Sequence, residues 1–232
     1  MIHDGIDTAH VCPNPEAKLV ISEGLAFSRS DEVIGFVNRN LEPYRGCHTF
    51  FRALPKILRN RPKVHVVVVG SDGVSYGALP PVGTTWKQKY IDEVRDDISD
   101  ADWSRVHFTS RILYDEFISL LQVSRAHVYL TYPFVLSWSL LETMSAGGAI
   151  LASDTAPVRE VIFDDETGLL TDFFDTDALA DNLNRLLDDA KLRSRLGMAA
   201  RQLVLDRFDL EKICLPQQLQ WVDALAQTPV RP

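Results

Sequence analysis

The stretch His65-Val66-Val67-Val68-Val69-Gly70 restricts the possible folds of this chain more than any other. Four consecutive valines favour a strand over a helix. They also leave no polar face, and strands buried on both faces belong to parallel sheets covered by helices. Shorter runs at 33–37 (VIGFV), 105–109, 126–132, 149–153 and 167–170 repeat the signal. Between them lie helical patterns. Residues 46–59 carry Phe50, Phe51, Leu54, Ile57 and Leu58 at i, i+3, i+4 spacing, and Pro62 closes that segment. Further helices fit 86–98, 113–124 and 137–146, the last stopped by Gly147-Gly148. From Asp175 and Thr176, both N-cap candidates, the pattern is helical to about Gln227. Alternation on this scale predicts a Rossmann-like three-layer α/β/α domain with a parallel sheet of about six strands. Ligands of such sheets bind where strands end, so functional residues are expected just after strands.

Composition narrows the classes. The chain has 232 residues, enough for one large domain, with 46% apolar and 24% charged residues. A net charge of −8 argues against a nucleic-acid partner. The three cysteines, Cys12, Cys47 and Cys214, lack metal spacing and read as reduced thiols. With no signal peptide and no apolar run near the ~20 residues of a membrane span, they imply a cytoplasmic location. The six histidines are scattered without an H-x-x-x-H pair, and no metal is expected. Those at 65, 107 and 127 alternate with apolar residues and read as sheet positions. Gly70-Ser71-Asp72-Gly73 is neither a dinucleotide fingerprint nor a P-loop, which disfavours a nicotinamide cofactor. The long Gly- and Pro-rich loop at 71–85 suggests a functional excursion. Residues 1–30 show little periodicity and read as a linker.

Two segments carry candidate chemistry. In NRNLEPYRG, Arg39 and Arg45 lie between a strand and a helix that Gly46 opens. Guanidinium groups beside a helix N-terminus make an anion site, while the alternative is a loop with two solvated arginines. In PFVLSWSLLETMSAGG (133–148), Ser137 stands near a helix start and Glu142 lies among Leu140, Leu141 and Met144. A carboxylate in apolar surroundings needs partners, and the paired hydroxyls of a ribose would serve. The alternative places Glu142 on the polar side of an amphipathic helix. In SDTAPVRE (153–160), Asp154 reads as a turn residue and Glu160 as a solvated charge.

In order along the chain, these segments resemble glycosyltransferase family 4, retaining enzymes of the GT-B fold. IHDGID (2–7) followed by Pro13 is similar to the family's hinge, and GFVNRNLEPYRG (35–46) to its G-R-L-x-x-x-K-G segment. Arg39 falls on the family's Arg and Arg45 on its Lys, a cation kept with a different geometry. HVVVVGSDG matches the strand that ends in G-x-G. VHFTSRI (106–112) matches the strand whose following loop, here Arg111 and Ile112, meets the nucleobase. LSWSLLETMSAGGAILASDTAPVRE (136–160) matches the closing signature, with Glu142 on its second glutamate. One position departs: eight residues before Glu142 stands Phe134, where the family has the glutamate that touches the donor sugar.

The resemblance implies the C-terminal half of a GT-B enzyme. Residues 1–30 would be the interdomain hinge and 31–210 the nucleotide-sugar-binding domain. Residues 211–232 would be a helix that packs on an N-terminal, acceptor-binding domain. The reaction would move a sugar, with retention, from a nucleotide-diphosphate sugar to a hydroxyl of a glycan or other acceptor, without a metal or further cofactor. Arg39 and Arg45 would neutralise the diphosphate, amides of Ser137 and Trp138 would assist, and Glu142 would hold the ribose. Phe134, Arg111 and Ile112 would line the donor site. The isolated half is expected to transfer no sugar and to self-associate through its uncovered face, and the whole protein could lie against the inner side of a membrane. The alternatives are a nucleotide-binding module without catalysis and a GT-B-like sugar-nucleotide epimerase.

Overall fold

The computed structural model describes residues 2–133 and 136–226. Two short strands, β1 (Lys18–Ser22) and β2 (Leu25–Ser28), form an antiparallel hairpin. Then follow β3 (Glu32–Asn40), α1 (Cys47–Asn60), β4 (Val64–Ser71), α2 (Trp86–Val94), α3 (Asp100–Trp103) and β5 (Val106–Thr109). The second half contains α4 (Tyr114–Val123), β6 (Ala126–Tyr129), α5 (Trp138–Ser145), β7 (Ile150–Ser153) and β8 (Leu169–Thr171). Three helices, α6 (Thr176–Asp188), α7 (Ala190–Arg207) and α8 (Leu215–Ala226), end the described chain, with a π-helical turn at Leu210–Cys214 before α8.

Strands β3 to β8 form one sheet in the order β5-β4-β3-β6-β7-β8, and every neighbouring pair is parallel. The chain winds outward from β3 to β5, returns beside β3 as β6, and winds the other way to β8. The reversal lies between β3 and β6, and the crevice beyond the carboxyl ends of those strands is where such folds bind ligands.

The valine run behaves as its composition demands. Val64, Val66 and Val68 face a core that includes residues of α1 and α6, where Phe36 stacks on Phe50 at 4.4 Å. Val67 and Val69 face the other side, against the hairpin and α4. Helices α5 and α7 pack on that second side as well, through Leu140, Met144, Ala200 and Val204. Asp175 caps α6 as expected, accepting from the Ala178 amide at 2.8 Å.

Two segments differ from their sequence patterns. The helix expected over 86–98 stops at Val94, and Ser99 caps a separate short helix, α3. Residues 1–30, read as a linker, are packed: Leu19 and Phe27 of the hairpin are buried against Val33, Val67 and Leu120. Strands of five and four residues are too short to show periodicity, and their burial comes from distant elements. The Ile6 amide donates to Phe208 O at 2.7 Å and the Leu210 amide to Ile6 O at 2.9 Å. The segment IHDGID is thereby bound to the crossing that leads into α8.

Candidate functional site

The loop leaving β3 is shaped by three local choices. The β3–β4 register shifts between Val37 and Asn40, an irregularity of the kind that re-aims side chains beside functional sites. Pro43 starts a 3-10 turn (Pro43–Arg45). Gly46 then takes φ 69°, donates to Pro43 O at 2.9 Å and caps α1. A side chain at Gly46 would be strained by that φ and would collide with Leu130, so glycine lets the β3 and β6 exits touch.

Arg45 is half-buried at this junction. Its Nη1 donates to Thr131 Oγ1 at 3.4 Å, and its Cζ lies 5.3 Å from the centre of the Tyr76 ring. The Tyr132 amide donates to Tyr44 O at 2.9 Å, joining the two loops by backbone. Burial raises the Tyr129 phenol above its ordinary pKa, and the neighbouring Arg45 charge opposes that shift. No carboxylate is paired with Arg45 among the described residues, so its charge is answered only by neutral groups. Arg39, at the shifted end of β3, is exposed and has no hydrogen-bond or ion-pair partner among the described residues. The structure thus sets both arginines at the switch point, and it shows no contact between them.

Across the crevice, α5 begins at Trp138. Ser137 caps it, accepting from the Ser139 amide at 3.4 Å. The Ser137 amide itself donates to Tyr129 Oη at 3.1 Å, which occupies one of the two amides expected to meet a ligand. Trp138 is exposed, and its Nε1 donates to Asp4 Oδ2 at 3.2 Å, tying the helix start to the opening segment. Phe134 lies outside the described residues.

Glu142 occupies the second turn of α5 and is 9% exposed, which rules out a solvated polar face. Its Oε1 accepts from Tyr114 Oη at 2.7 Å, whereas Oε2 has no partner among the described residues. Burial raises the carboxyl above its ordinary pKa, opposed by the Tyr114 hydrogen bond. Tyr114 opens α4, and burial together with Glu142 pushes its phenol well up. The β5 and β6 exits are joined by this pair.

At the β5 exit, Arg111 is exposed and its Nε donates to Ser71 Oγ at 3.4 Å. Arg111 and the half-buried Ile112 line a cleft of about 300 Å³ with Leu19, Ile21, Thr109 and Glu116. The hairpin supplies one wall of this cleft, a role invisible in the sequence. Sequence reasoning also missed Thr131 and Tyr114, because each acts through a residue far away in the chain. Among the described residues, no cluster of three or more His, Cys, Asp or Glu could hold a metal ion. His65 and His107, as read, are sheet residues, stacked with Nδ1 and Nε2 3.0 Å apart.

Fold and site together define a doubly wound α/β domain with two arginines free of carboxylate partners among the described residues, and a buried carboxylate, on the elements that flank the winding reversal. The model of the glycosyl transferases group 1 matches residues 18–203, and the chain belongs to that family. A phosphatidyl-myo-inositol mannosyltransferase of Mycolicibacterium smegmatis is 28% identical over 204 residues, 86% of this chain and 45% of that protein. An N-acetyl-alpha-D-glucosaminyl L-malate synthase of Bacillus anthracis is 30% identical over 124 residues, 52% of this chain and 32% of that protein. The chain therefore spans about half the length, or less, of the curated relatives it matches. Sucrose-phosphate synthase from Thermosynechococcus elongatus shares the fold with a TM-score of 0.77 at 21% identity, over 98% of this chain and 53% of that one. The C-terminal domain of a group 1 glycosyl transferase from Francisella tularensis aligns over its whole length and 89% of this chain, with a TM-score of 0.72 at 21% identity. Anabaena HepE in complex with UDP has a TM-score of 0.73 at 19% identity, over 98% of this chain and 57% of that one.

Proposed function

We propose that this chain is the donor-binding half of a retaining glycosyltransferase that takes its sugar from a nucleotide-diphosphate donor. The observation that carries the reading is Arg45: a half-buried guanidinium at the switch point, facing Thr131, Tyr129 and Tyr76, with no carboxylate paired to it among the described residues. A diphosphate would complete that environment, and cations fixed there would stabilise the charge that develops on the leaving group. Arg39, at the end of β3 and without a hydrogen-bond or ion-pair partner among the described residues, adds a second cation. Glu142 Oε2 is left to accept from a ribose hydroxyl while Tyr114 holds Oε1. The cleft beside Arg111 and Ile112 has the walls for a nucleobase. Anabaena HepE, which shares the fold, was solved in complex with UDP, and this agrees with a nucleotide donor. No step here calls for a metal or other cofactor.

The acceptor hydroxyl would be held by a second domain, of the kind that the greater length of the relatives accommodates. Without it nothing aligns the hydroxyl with the anomeric carbon, so these residues alone would bind donor and transfer no sugar. Leu215, Leu219, Trp221, Val222 and Leu225 are exposed on α8. They suit a covering domain, and in its absence self-association. A cytoplasmic site of action fits the reduced cysteines, and no helix among the described residues is long and apolar enough to cross a membrane.

Calorimetric titration with UDP, GDP, ADP and their sugars tests the reading. Binding of a nucleoside diphosphate tighter than its nucleoside, lost on Arg45→Ala, is expected. Equal affinity for nucleoside and diphosphate would overturn it.

A further inference from the structure

Glu42 is a charged residue with no solvent exposure at all. A carboxylate buried this fully is tolerable only when hydrogen-bonded. Its oxygens accept from three consecutive backbone amides, Ser75, Tyr76 and Gly77, at 3.1–3.2 Å. Successive amides curled around one anion form a nest, and here the anion comes from the chain itself. The loop between β4 and α2 is bound at further points. Asn40 Nδ2 donates to Ser75 Oγ at 2.6 Å, Trp86 Nε1 donates to Ala78 O at 2.8 Å, and Lys87 pairs with Asp72 at 2.6 Å. A side chain at Gly77 would crowd Tyr44 Cδ2 at 3.2 Å and touch Glu42 Oε2 at 3.5 Å, so glycine gives the loop its closest approach to this strut.

The fastened loop places the Tyr76 ring beside the Arg45 guanidinium. We propose that Glu42 is a positioning residue of the donor site, holding Tyr76 against Arg45 and so fixing where Arg45 meets a diphosphate. The proposal rests on the donor-site reading above. Its sign separates it from simple electrostatics. Removing a negative charge close to an anion site strengthens anion binding through space, whereas removing a strut that orients the cation weakens it.

The test is calorimetric titration of the full chain with UDP and GDP, using uridine and guanosine as controls that lack phosphate. Glu42→Gln is expected to weaken diphosphate binding about five- to tenfold, to leave nucleoside binding unchanged, and to cost nothing further in an Arg45→Ala background. That last result marks action through Arg45, because coupled residues are non-additive. Unchanged or tighter diphosphate binding in Glu42→Gln, or an equal further loss in the Arg45→Ala background, would overturn the proposal. If wild type binds diphosphate strongly and through Arg45 while Glu42→Gln is neutral, the positioning role falls and the donor site stands. If wild type does not prefer diphosphate, both fall. Should circular dichroism show Glu42→Gln unfolded, Tyr76→Leu carries the same expectation with the strut intact, and full diphosphate affinity in that variant would overturn the link.

Discussion

Arginines at the two ends of the sheet strands differ in what answers their charge: helix-terminal carbonyls around Arg105, Arg193 and Arg201, a hydroxyl and a ring around Arg45. At the amino-terminal edge helices end, and their last carbonyls point outward with partial negative charge. Arg105 donates to Leu58 O at 3.1 Å, Arg61 O at 2.6 Å and Val64 O at 2.9 Å, around the end of α1. Arg193 donates to Leu186 O and Leu187 O in the last turn of α6, and Arg201 to Ser145 O at the end of α5. At the carboxyl edge helices begin, and no such carbonyls are on offer. There Arg45 reaches one hydroxyl and an aromatic ring, Arg111 reaches one hydroxyl and Arg39 reaches nothing described, whereas Arg159, after β7, is paired with Asp154. A cleft of about 450 Å³ lies at the amino edge and is lined by Arg29, Arg125, Arg193 and Arg201. Arginine number alone therefore does not single out the switch-point end. What marks the switch-point end is Arg39, Arg45 and Arg111 without a carboxylate or carbonyl partner among the described residues, where the helix dipoles also favour an anion.

The comparison predicts opposite phenotypes. The largest effect is expected from Arg105→Met. It removes a donor from three backbone carbonyls, of which Arg61 O keeps the Val64 amide, and leaves Asp102 without its ion pair. It should cost roughly 3 kcal/mol of stability in urea melts while nucleotide affinity holds. A variant as stable as wild type would break the claim that amino-edge arginines serve the fold. Next, Arg45→Ala should leave the urea midpoint nearly unchanged and weaken UDP or GDP binding ten- to a hundredfold, since a charge-assisted contact contributes roughly 1.5–3 kcal/mol at about 1.4 kcal/mol per decade. A large stability loss with intact binding would put Arg45 in the amino-edge class.

Arg39→Ala should weaken the same binding about tenfold at low salt and less at physiological ionic strength, because an exposed charge is screened over roughly 8–10 Å. An effect indifferent to salt would mean that Arg39 acts by packing. The smallest effect is expected at Glu142. Glu142→Gln should reduce the preference for ribo- over deoxyribonucleotide about fivefold, since Gln accepts less strongly than an ionised carboxylate. Burial raises the Glu142 pKa, so in wild type this preference should fade on acidification while pH is still above the ordinary carboxylate value of 4.5. A wild type without ribose preference would remove Glu142 from the donor site.

The strands were legible because their signals are local. Four valines in a row state that both faces are buried, and the structure divides them between two cores. Asp175 was legible as a cap for the same reason. Arg39, Arg45 and Glu142 were legible as candidates from neighbours and family order, but their environments were not. Glu142 depends on Tyr114, 28 residues away, and Glu42 on amides 33 to 35 residues away. No periodicity links such positions. The hairpin escaped notice because strands of five and four residues draw their burial from Val67 and Leu120, which lie far along the chain.

The sequence by itself determined the α/β class, the helix-covered parallel sheet and the short list of residues that follow strands. Those properties reside in spacing along ten or fifteen residues, where backbone propensity and burial act together. Only the tertiary structure decided that β6 returns beside β3, which turns two separate loops into one crevice. It alone decided that Glu142 is buried rather than solvated, that Arg45 goes without a carboxylate, and that Glu42 fills a nest of amides. Charge and hydrogen-bonding capacity are written in each residue, but whether they are already satisfied depends on partners that only the fold brings near.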